Sequence, residues 1–135
     1  MNGTREMITY KGRSLSILIL TGLQAFIGVI HILLGLLLLA SETTILHVTV
    51  AYDFYTIAFG VLVFVFAVHI WQGKKIGWVG TISISLFVIV VDALALSNLP
   101  SIPGVPKFAA PTEIVYSLII VIFLVRLNFR KRFLN

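Results

Sequence analysis

The chain contains no cysteine. Disulfides, thiolate catalysis, Fe–S clusters and c-type haem attachment are therefore excluded. Charge is also scarce. Charged residues make up 11% of the 135 positions, where a water-soluble domain carries about a quarter. Acidic residues number five against ten Lys and Arg. All four prolines fall in one stretch, Pro100 to Pro111. The sequence has no Gly-rich phosphate loop and no nucleophile with a basic partner at motif spacing. It also lacks H-x-x-x-H and E-x-x-H ligand spacings. No catalytic residue and no cofactor is assigned.

What the chain has in excess is apolar surface. It is 59% hydrophobic, with a mean hydropathy of +1.09. Such a chain cannot cover a water-facing surface, so it belongs in a membrane. Its length accommodates about four spans of ~20 residues with short connections, and no separate soluble domain. The first apolar run is far longer than a signal-peptide core, so no cleaved leader is expected. The net charge of +5 points to membrane orientation and anionic lipid headgroups, not to nucleic acid, because the cations flank apolar runs.

The expected fold class is all-α: a polytopic four-transmembrane-helix bundle forming one domain over residues 1–135. The spans are read at 14–40, 54–72, 77–97 and 112–129. Outer loops cover 41–53 and 98–111, and a turn covers 73–76. Gln24, Gly28, His31 and Gly35 recur at helical spacing on one face of the first span. The two glycines would admit another backbone. Thr81, Ser85 and Asp92 share a face of the third span. Prolines block helix continuation, so 98–111 reads as a stiff loop. Thr112 then reads as the N-cap of the last helix, with Glu113 in its first turn.

An even number of spans places both termini on one side. Arg5, Lys11 and Arg13 lie on that side, with Lys74 and Lys75, and Arg126, Arg130, Lys131 and Arg132. Only Lys107 lies opposite. The positive-inside rule makes the basic side cytoplasmic, in the cell (plasma) membrane. The cluster Arg126, Arg130, Lys131 and Arg132 reads as a topology signal facing lipid or a partner.

Asp92 is the one carboxylate well inside a span, Glu113 lying only in the first turn of its own, and such residues have a partner or a purpose. His31 and Asp92 lie about 25 and 22 Å above the cytoplasmic ends of their spans. With Glu113 they form an outer polar cluster. Its leading reading is structural: Asp92 meets the Gln24–Gly28–His31–Gly35 face and holds spans one and three together. A metal held by His31, Asp92 and Glu113 is the weaker reading, and no metal is assigned. His31 and His69 lie at different depths, which argues against a shared haem.

The stretch FYTIAFGVLVFVFAVHIWQGKKIGW and the basic end VRLNFRKRF give the chain a layout that resembles small prokaryotic four-span membrane proteins. Small cofactor-free subunits of membrane oxidoreductases and monooxygenases look similar. The resemblance implies a fold class. The expected role is an accessory or structural subunit of a larger membrane complex of bioenergetic or oxidoreductase type, without its own catalytic centre. The alternative is a small homo-oligomeric transporter or channel with Asp92 and His31 in a polar path. Expected partners are membrane lipids and larger membrane subunits, or further copies of the chain.

Overall fold

The structure, a computed structural model, describes residues 9–10, 13–41, 50–126 and 133. Among the described residues, four helices carry the fold: α1 Leu15–Ser41, α2 Val50–Trp71, α3 Lys75–Leu96 and α4 Ala110–Val125. A two-residue antiparallel pairing precedes them, β1 Thr9–Tyr10 against β2 Arg13–Ser14. The architecture is all-α beyond that short ladder. α1, α2 and α3 are long and apolar enough to cross a membrane. α4 has 16 residues and is a shorter apolar helix.

Two helix ends use the same device. At the end of α2, Gly73 adopts φ 73°, donates to the Ile70 carbonyl at 2.9 Å, and is followed by Lys74 donating to His69 at 2.9 Å. At the end of α3, Asn98 adopts φ 57° and donates to Ala95 at 3.3 Å, while Leu99 donates to Leu94 at 3.0 Å. Both are Schellman motifs, which satisfy the last helical carbonyls through one left-handed residue. Glycine takes that conformation freely, and asparagine is among the few other residues that tolerate it.

Two expected helix starts are corrected. α2 begins at Val50, so Tyr52 and Asp53 belong to the helix and not to the preceding loop. The reason is the buried series Asp53, Thr56, Gly60, Val63, Ala67 and Ile70, whose spacing of three and four starts at Asp53. α4 begins at Ala110, so Thr112 is not its cap. Pro111 fits in the first helical turn because a residue there has no intrahelical acceptor for its N–H. At the other end, Arg126 turns extended (φ −54°, ψ 136°) and closes α4 at Val125, short of 129.

Neighbours in sequence are neighbours in space: α1 packs on α2, α2 on α3, and α3 on α4. The α1–α2 crossing is a glycine contact. A Cβ on Gly28 would lie 2.8 Å from the Gly60 carbonyl oxygen, and one on Gly60 would lie 2.6 Å from that of Gly28. Gly35 meets Asp53 and Ile57 one level further along. At the end of the bundle near the Lys74–Lys75 turn, Ile17, Leu20, Ile70, Ile120, Leu124 and Phe133 form the apolar core. There the Trp78 indole N–H donates to the Leu124 carbonyl at 2.8 Å. That bond joins α3 to a carbonyl in the last turn of α4, which has no intrahelical donor.

The distribution of polarity is inverted relative to a water-soluble protein. Thr21, Gln24, Thr81, Ser85 and Ser117 are buried, whereas Phe26, Leu33 and Leu37 are more than 60% exposed. The outward apolar faces suit lipid, and the inward polar groups are kept from it. Thr21 and Thr56 bond to carbonyls of their own helices, at 2.8 Å each.

Candidate functional site

Asp92 lies four residues before the end of α3, on the buried face that also carries Thr81, Ser85, Val88 and Ala95. It is 2% exposed. Glu113 stands in the first turn of α4. The loop between the two helices brings the two carboxyls within electrostatic reach of each other.

Several buried polar atoms of the bundle lack a partner. Asp92 Oδ2 is buried without a hydrogen bond, as are the Tyr116 hydroxyl, one turn beyond Glu113, and Gln24 Oε1 of α1. Asp53, in the first turn of α2, is 1% exposed with both oxygens unpaired. Each buried polar atom left without a partner costs about 1–3 kcal/mol. Tyr52 and Tyr55 of α2 lie within electrostatic reach of both Asp92 and Glu113. Lys107, in the loop, bonds instead to the Asn98 side chain. That loop is pinned back onto α3 by Ser101, whose hydroxyl donates to the Val91 carbonyl at 3.1 Å, beside Asp92.

The expected meeting of Asp92 with the α1 face is not made: α1 makes no close backbone approach to α3 among the described residues, and Glu113 of α4 is the carboxyl within electrostatic reach of Asp92. The reason is the α1–α2 glycine contact, which turns Gly28 and Gly35 toward α2. His31 is also drawn there. Its Nδ1–H donates to the Ile27 carbonyl at 2.8 Å, and its ring meets Phe59 edge-on at 5.0 Å. His69 lies in the last turn of α2 and bonds to the Val65 carbonyl at 2.7 Å. Among the described residues, no three His, Asp or Glu side chains come close enough to hold a metal ion. His47, Arg130, Lys131 and Arg132 lie outside the described residues, and Arg126 is exposed beyond α4.

Asp53 is the buried carboxylate that sequence reasoning missed. Its signal was present, because it opens the series of buried positions along α2. Phe133, which follows the C-terminal basic cluster in sequence, is 5% exposed and sits in the apolar core.

Three apolar helices of spanning length, with polar groups turned inward, define a membrane protein with a helix-bundle fold. No protein-family model, curated protein or solved structure matches the chain.

Proposed function

We propose that the protein is a four-span bundle of the plasma membrane with both termini cytoplasmic, α4 being the fourth span. We propose further that it serves as a small non-catalytic subunit of a larger membrane complex of bioenergetic or oxidoreductase type. The observation that supports a subunit role is the open face of the α1–α2 hairpin. Thr21, Gly22, Ala25 and Ala67 there line a groove of about 320 Å³. A Cβ on Gly22 would meet nothing within 4 Å, so a foreign helix has room to approach. The positive-inside rule supports the sidedness, since Lys107 is the one cation on the loop side.

The Asp92–Glu113 pair favours a second reading, a small homo-oligomeric transporter or channel. Thr81, Ser85 and Asp92 run along the buried face of α3, and a second carboxyl, Glu113, lies within electrostatic reach at its end. A path built this way would use Asp92 with Glu113, in place of His31.

Native mass spectrometry after gentle solubilisation separates the readings. The subunit reading expects co-purifying larger proteins that are lost in a Gly22→Leu variant. The transporter reading expects homo-oligomers, and proton or cation flux in vesicles that Asp92→Asn abolishes. A monomer without flux would contradict both.

A further inference from the structure

The α2–α3 interface carries a feature that neither reading uses. Tyr55, Phe59, Phe66 and Phe87 line a groove of about 380 Å³, with Ala58 and Gly80 between them. The groove lies along two spanning helices, so it opens to lipid. Tyr55 and Phe87 approach at 6.4 Å between ring centroids, and Tyr55 and Phe59 are stacked at 6.2 Å. The rings thus gather at the end of the groove nearer the Asp92–Glu113 pair. There the Tyr55 hydroxyl has no hydrogen-bond partner among the described residues. Tyr55 also stands in the electrostatic field of Asp92 and Glu113.

Plain acyl chains gain nothing specific from four aromatic rings or from a free hydroxyl donor. A flat conjugated ring does, because it can stack offset or edge-on with aromatic side chains. A carbonyl on that ring would accept the Tyr55 hydrogen bond inside an otherwise apolar site, the usual composition of a small-molecule pocket. We propose that the α2–α3 groove binds a lipid-soluble quinone. Its ring lies among Tyr55, Phe59 and Phe87, one carbonyl oxygen accepts the Tyr55 hydroxyl, and its chain extends into the bilayer. The inference does not rest on the subunit or transporter reading, since it needs only the groove and Tyr55.

The test is photo-affinity labelling of the full chain in lipid nanodiscs with an azido-benzoquinone bearing a short isoprenoid tail. Labelled residues are located by mass spectrometry. Labelling is expected on α2 and α3 groove residues and to be competed by the unlabelled quinone but not by a saturated phospholipid. Tyr55→Phe is expected to weaken competition roughly three- to tenfold, the share of one hydrogen bond. Ala58 is exposed, so Ala58→Phe fills the groove without touching the packed interior, and it is expected to remove the labelling. Asp92→Asn, which decides the transporter reading, is expected to leave it in place. Label spread evenly over the lipid-facing helices, equal competition by phospholipid, or labelling that survives Ala58→Phe would overturn the proposal.

Discussion

At the scale of the residue, the buried carboxyls and the crossing glycines carry the structure's sharpest consequences. Asparagine at position 92 keeps the size and polarity of the side chain and removes its ionisable group. Asp92→Asn is therefore expected to keep the fold, with a stability change within about 1.5 kcal/mol, the worth of one ordinary hydrogen bond. Reversible unfolding in mixed micelles checks this. Gly28→Ala is expected to cost more than its single methyl suggests. The new Cβ would meet backbone, the Gly60 oxygen at 2.8 Å and the Phe64 nitrogen at 2.9 Å, and backbone cannot swing aside as a side chain can. The helices must separate, at about 1–3 kcal/mol. A fall in the unfolding midpoint is expected, and an unchanged midpoint would mean that α1 and α2 do not cross there.

At the scale of the element, the caps and one indole bond set the helix ends. Gly73→Ala forces a β-carbon into a left-handed conformation and is expected to cost about 1–2 kcal/mol. Asn98→Gly sits in the same motif and is expected to be neutral or slightly stabilising. Trp78→Phe keeps an aromatic ring and removes the donor to the Leu124 carbonyl, an expected loss of at least about 0.5–1.5 kcal/mol from the hydrogen bond. Thermal unfolding of the three variants in one detergent ranks them directly. The helix ends also show how far the sequence could be read. The apolar runs of α1 and α3 are continuous, so their limits came within two residues of those observed. The start of α2 was harder, because Thr and Val before it favour extended structure while Asp53 already belongs to the helical face. The start of α4 was misread because Pro111 suits the first turn of a helix as well as a loop.

At the scale of the whole molecule, an apolar exterior around polar interior groups was legible from composition, but the pairing of helices was not. The spacing of Gly28 and Gly35 said that a backbone would approach α1, and nothing in it said which one. Once α2 took that place, Asp92 was left to α4 and came within electrostatic reach of Glu113. Sidedness can be tested because the chain has no cysteine of its own. Single cysteines replacing Lys74 and Lys107 are expected to react with an impermeant thiol reagent from opposite sides of sealed vesicles. The central claim is that Asp92 and Glu113 act as one unit joining α3 to α4 inside the bundle. A double-mutant cycle of Asp92→Leu and Glu113→Leu, read as unfolding free energy in micelles, measures it most directly. Each single change leaves the other carboxyl without its neighbour, Asp92 fully buried and Glu113 half-buried, and the double change removes both. Strong non-additivity is expected, with a coupling of about 0.5–3 kcal/mol. Additivity within about 0.3 kcal/mol would contradict the account.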